Sequence, residues 1–101
     1  MKHLKLFEEF ESDVITIVID GDEQTFTILQ KGRKIYLMKD DEIYQRLDIQ
    51  IPDSEDLEID EFFMAPDVQL NIVEELENQR FIQKLEKESI AGDKKVMAYK
   101  L

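Results

Sequence analysis

Between residues 14 and 51 the chain repeats one pattern that suits little except an antiparallel sheet: a short run rich in β-branched residues, then a cluster of turn formers. Residues 14–20 read VITIVID, apolar or Thr on both alternating faces, as expected of an interior strand. Asp20-Gly21-Asp22-Glu23 supplies turn chemistry and TFTILQ returns, which together predict a hairpin. Lys31-Gly32-Arg33 turns into KIYLMK, and Lys39-Asp40-Asp41-Glu42 turns into IYQRLDIQI. In that last run Ile43, Leu47, Ile49 and Ile51 face one side while Tyr44, Arg46, Asp48 and Gln50 face the other, the two-residue period of a half-exposed strand. Pro52 ends it, having no N–H to give a ladder.

The flanks read as helical. In MKHLKLFEEF, Leu4, Phe7 and Phe10 share one stripe with Leu6 beside it, predicting a short amphipathic helix that ends near Ser12-Asp13. A longer helix is expected from Val68 to about Glu88, with Asp67 as N-cap and Gly92 as terminator. Glu74, Glu75 and Glu77 load its first half and Arg80, Lys84 and Lys87 its second, in the sense the helix dipole favours. Its apolar pattern is irregular. Val73 to Ile82 and Leu76 to Leu85 are each nine residues, two and a half turns, so Phe81, Ile82 and Leu85 fall opposite Val68, Ile72, Val73 and Leu76. Either the helix breaks near Asn78-Gln79 and both halves face one core, or it runs straight and offers Phe81, Ile82 and Leu85 to a partner or a second copy. The tail VMAYKL is strand-like. The expected fold class is α+β: an antiparallel four- to five-stranded meander sheet packed against a long C-terminal helix, with a short N-terminal helix, in a single domain spanning residues 1–101.

Charge is the second constraint. The formal net charge is −11, and residues 40–61 hold ten acids and one base, Arg46. Residues 1–39 and 62–101 each hold seven acids and six bases, so nearly the whole imbalance sits in one window. Phosphate binding needs the opposite sign, so direct contact with nucleic acid is not expected, nor is docking on anionic lipid. No apolar run approaches the ~20 residues of a membrane span, and the opening has acids where a signal peptide needs an apolar centre, so a cytoplasmic location is expected.

Signs of catalysis are absent. With no Cys there is no thiolate chemistry, disulfide or Cys-based zinc site, and the only imidazole, His3, reads as a solvated terminal residue. No GxxxxGK[ST], GxGxxG, GxSxG or HExxH pattern occurs. Calcium-loop register fails too: from Asp53 the position that needs Gly is Glu58 and the position that needs Glu is Met64. No enzyme activity, no cofactor and no metal site are expected.

The window's centre, PDSEDLEIDEFF, therefore calls for a binding explanation or a bland one. If DLEIDEF is extended, Asp56, Glu58 and Asp60 share a face with a spacing of about 6.6–6.8 Å, close to that of successive phosphates on one nucleic-acid strand. Two readings stay open. One is a solvated acidic loop that aids solubility and blocks edge-to-edge strand pairing. The other is an electrostatic decoy in which Asp53, Glu55, Asp56, Glu58, Asp60 and Glu61, extended by Asp40, Asp41 and Glu42, dock on a basic groove. Phe62 and Phe63 would then be either core filling or the decoy's apolar anchors.

The opening MKHLKLFEEF resembles the start of many small proteins encoded by tailed bacteriophages, through Met1, Lys2, Leu4, Lys5, Phe7, Glu8 and Phe10. The resemblance covers about ten residues. It implies a viral origin, and with it a non-enzymatic acidic inhibitor of the anti-CRISPR, anti-restriction or host-takeover type, whose partner is a basic nucleic-acid-binding protein of the host. The alternative is a phage structural or assembly protein that self-associates, as a homodimer for instance, through Phe81, Ile82 and Leu85.

Overall fold

The turn clusters do set the local structure. Asp20 and Gly21 both take left-handed backbone (φ 53° and 85°), as do Asp40 and Asp41 (φ 52° and 64°), and two such residues in a row make the type I′ turn that matches strand twist. At Lys31-Gly32-Arg33-Lys34 only Gly32 is left-handed, and at Ala91-Gly92-Asp93-Lys94 only Gly92, the type II′ arrangement that needs glycine first. Each of these four turns closes a two-residue hairpin.

The computed structural model describes residues 9–101, which form nine strands and one α-helix. They divide into two compact units, with the boundary in the chain at Arg46/Leu47. The first unit holds β1 (Glu9–Glu11), β2 (Ile15–Ile19), β3 (Asp22–Lys31), β4 (Lys34–Lys39) and β5 (Glu42–Arg46) in one antiparallel sheet. β1 and β2 run one after the other along the same edge of β3. Glu11 pairs with Leu29 and Ile15 with Phe26, so four steps on that edge match three on β3 and one extra residue bulges between them. Ser12 manages the bulge: its N–H donates to the Ile28 carbonyl (2.8 Å) while its hydroxyl accepts the Ile28 N–H (2.8 Å). Ile15, Ile17, Phe26, Ile28, Ile35 and Leu37 all project to one face of the sheet and are buried. Each such side chain contributes about 1.5–3 kcal/mol over leaving it exposed.

The second unit holds β6 (Asp48–Ile49), a 3-10 turn (Pro52–Asp56), β7 (Glu61–Met64), α1 (Leu70–Asn78), β8 (Gln83–Ala91) and β9 (Lys94–Lys100). Its sheet runs β6-β7-β9-β8, antiparallel throughout. On one face Leu57, Phe63, Val96 and Ala98 form a buried cluster with Leu85 and Ala91 at its margin. Phe62 and Tyr99, a cross-strand pair with ring centroids 6.3 Å apart, project from the other face.

The expected α+β architecture is overturned: the chain is mostly strand, in two sheets rather than one, and no long C-terminal helix packs on either. α1 begins after an N-cap at Gln69, not Asp67, and stops at Asn78. The stop is a Schellman motif with Arg80 (φ 65°) in the place usually taken by glycine: Arg80 N–H bonds the Glu77 carbonyl (3.0 Å) and Phe81 N–H the Leu76 carbonyl (2.9 Å). The conflict between the two apolar groups is thus met by a break, but the residues beyond the break form a strand, and Gly92 serves a hairpin rather than a helix end. The run 43–51 is not one strand either. It divides at Leu47 between the two sheets, and a register shift at Leu37/Met38 leaves Tyr44 as the extra residue, its ring 5.0 Å from Phe26, with Ile43 59 % exposed. β2 is an edge strand with alternate burial, so VITIVID is not an interior one. Of the expected N-terminal helix, residues 9–11 are strand, residues 12–13 have no regular structure, and residues 1–8 lie outside the described residues.

Candidate interaction surface

The acidic window is carried by two different units. Asp40 and Asp41 form the tip of the β4–β5 hairpin, with Glu42 opening β5. With Glu11, Val14, Thr25, Phe26, Thr27 and Met38 the two aspartates line a cavity of about 150 Å³, in which Thr27 donates its hydroxyl to Glu11 (2.7 Å). The window's other seven carboxylates belong to the second unit, Asp48 on β6 and six between Asp53 and Glu61.

There, Ser54 organises the backbone. It is buried, its N–H donates to the Ile51 carbonyl (2.8 Å), its hydroxyl accepts the Ile51 N–H (3.1 Å), and its carbonyl accepts the Leu57 N–H (3.2 Å). Leu57 then enters the core cluster. A second turn closes reciprocally, Glu61 N–H to the Glu58 carbonyl (3.0 Å) and Glu58 N–H to the Glu61 carboxylate (3.2 Å). Residues 53–60 are therefore two linked turns and not an extended strand, which overturns the even, phosphate-like spacing expected of Asp56, Glu58 and Asp60.

The six carboxylates differ in what they touch. Lys87 reaches Glu61 at 3.0 Å, and that hydrogen bond, with the Glu58 N–H behind it, holds the Glu61 carboxyl below its ordinary value of 4.5. Lys100 stands 3.9 Å from Asp60, and Ser89 donates its hydroxyl to Asp53. Glu55, Asp56 and Glu58 are exposed, and among the described residues none of them meets a lysine or arginine in an ion pair.

The apolar candidates sit inside. Phe62 and Phe63 are each 3 % exposed and fill the core, so they cannot anchor a partner. Ile82 is 3 % exposed, with Phe81 and Leu85 half-buried, so the triplet offers no exposed stripe for self-association. Burial raises the Tyr99 hydroxyl pKa above 10.0, with the nearby Glu77 charge adding to the shift. Sequence reasoning missed Ser54, Ser89, Lys87 and Lys100. Ser89, Lys87 and Lys100 act on the window from a distance in the chain that no local pattern reports, and Ser54 acts through a backbone turn hidden among the acids.

Among the described residues no group of three or more His, Asp or Glu is placed to hold a metal ion, and no helix is long and apolar enough to cross a membrane. No protein-family model, no curated protein and no solved structure matches the chain.

Proposed function

We propose that this chain is a non-enzymatic acidic interaction protein that binds a basic, nucleic-acid-binding protein and blocks its site. The observation that carries the reading is the contrast around the 3-10 turn. Ser54 and Leu57 are buried and hold the backbone, while Glu55, Asp56 and Glu58 are exposed with no ion-pairing cation among the described residues. A turn that keeps like charges together leaves their repulsion without an ion-pairing cation among the described residues, and a cationic partner relieves it. The attraction is that of a concentrated field and does not rest on matching phosphate spacing. With the phage origin implied by the opening residues, the partner is a host restriction, CRISPR or transcription protein.

The test replaces Glu55→Gln, Asp56→Asn and Glu58→Gln together and compares capture of basic proteins from host lysate at low and high salt. The triple variant keeps its fold, and its capture at low salt falls to the level the native chain shows at high salt. Equal capture by native and variant chains at low salt overturns the proposal.

A further inference from the structure

β8 is an edge strand, and its hydrogen-bonding phase is fixed by the hairpin it forms with β9. In a two-residue hairpin the pair flanking the turn exchanges both backbone bonds, here Ala91 and Lys94. Alternation then turns Ser89 inward to β9 and leaves the N–H and C=O of Ile90 and Glu88 facing away from the sheet. Among the described residues no strand lies on that side. The ladder is interrupted upstream: Lys84 pairs with Tyr99 and Glu88 with Met97, so four steps on β8 match two on β9. The bulge confines the regular open edge to residues 88–91.

That short edge adjoins the acidic turn. Ser89 projects from the same face as Val96, the face on which Leu57 packs, and its hydroxyl reaches Asp53 at the start of the 3-10 turn. Outward-facing strand backbone and Asp53, the first carboxylate of that turn, are therefore neighbours within one unit. Ile90, 60 % exposed, stands on the opposite face of β8 as an apolar contact.

We infer that β8 receives an extended, basic segment of the partner as an added strand. Main-chain bonds to Glu88 and Ile90 would give it affinity, and alternate Lys or Arg side chains of the segment would reach toward Asp53, Glu55 and Asp56. The segment is basic because Asp53, at the head of the acidic turn, sits beside Ser89 on the face it meets, and extended because only a strand satisfies outward N–H and C=O groups in register. This rests on the reading of the chain as a binder of a basic protein, and adds where and in what conformation the partner docks.

The probe is a soluble peptide of alternating lysine and valine, with a glutamate–valine peptide as control. Ile90→Pro removes only an outward donor, a position where an edge strand tolerates proline, and leaves the β8–β9 bonds of Ser89 and Ala91 in place. Titration of the lysine–valine peptide slows amide exchange at Glu88 and Ile90 in the native chain while Ser89 stays as before, and Ile90→Pro weakens peptide binding about tenfold. The glutamate–valine peptide slows neither amide. Unchanged exchange at Glu88 and Ile90 under a saturating lysine–valine peptide overturns the inference, whether or not Ile90→Pro folds. If in that case the carboxylate triple variant still loses lysate capture, the docking mode fails and the broader function stands.

Discussion

Lys87 Nζ lies 3.0 Å from Glu61 Oε1, and Lys87 falls within the β8 bulge, between the paired residues Lys84 and Glu88. The two ends differ in exposure, 50 % for the lysine side chain and 12 % for the glutamate, so the carboxylate is the sheltered member. Because the folded chain holds Glu61 below its unfolded value of 4.5, its contribution to stability is complete above that value and is lost as pH falls through the lower, folded one. Acid unfolding followed by circular dichroism should therefore show a shallower acid limb in Glu61→Gln than in the native chain, with Lys87→Met behaving alike. Identical limbs in all three would show that the contact does not contribute.

Arg80 occupies a left-handed position where a side chain costs about 1 kcal/mol that glycine avoids. Arg80→Gly gives back much of that gain as unfolded-state entropy, so the expected net stabilisation is about 0.5 kcal/mol at most. Urea unfolding reads it directly as a higher midpoint at unchanged slope. Arg80→Val, β-branched at the same backbone, moves the midpoint the other way.

What the sequence revealed divides along a physical line. The β2–β3 and β3–β4 hairpins were legible because Asp20-Gly21 and Lys31-Gly32-Arg33 specify their turns within a few residues. The stretch 80–91 misled because its signals are ambiguous locally: charges favourable to a helix dipole, and a glycine at 92 that ends a helix or opens a type II′ turn equally well. Pairing with β9 decided for strand, and that is a tertiary effect. Likewise the alternation of residues 43–51 crosses a unit boundary that no residue marks. The acidic window was visible as charge but not as geometry, because its cations arrive from afar: Lys87 is 26 residues from Glu61.

The β4–β5 turn offers a second check on local reasoning. Asp40 and Asp41 are both left-handed, and aspartate tolerates that region less well than the Asn-Gly pair which type I′ turns favour. The double change Asp40→Asn, Asp41→Gly should stabilise the hairpin by about 0.5–1 kcal/mol, seen as slower amide exchange along β4 and β5. It also removes two carboxylates of the window. If those contribute to partner capture, the variant is more stable yet captures less at low salt, a combination that general destabilisation cannot produce.

Leu57 ties the displayed charge to the core. It is buried against Phe63, Val96 and Ala98, and its N–H closes the Ser54 turn that bears Glu55 and Asp56. Leu57→Ala empties a site flanked by rigid strands, and should cost about 2–5 kcal/mol. Glu55→Gln, Asp56→Asn and Glu58→Gln change exposed groups without ion-pair partners among the described residues, so each should shift stability by no more than about 0.5 kcal/mol. The two kinds of variant thus separate scaffold from function. The three carboxylate changes together should lower low-salt capture to the native high-salt level with the unfolding midpoint held, whereas Leu57→Ala should lower the midpoint and spare capture at temperatures where the fold persists. Loss of capture in Leu57→Ala well below its midpoint would show instead that binding needs the turn held rigid, and not merely its charge.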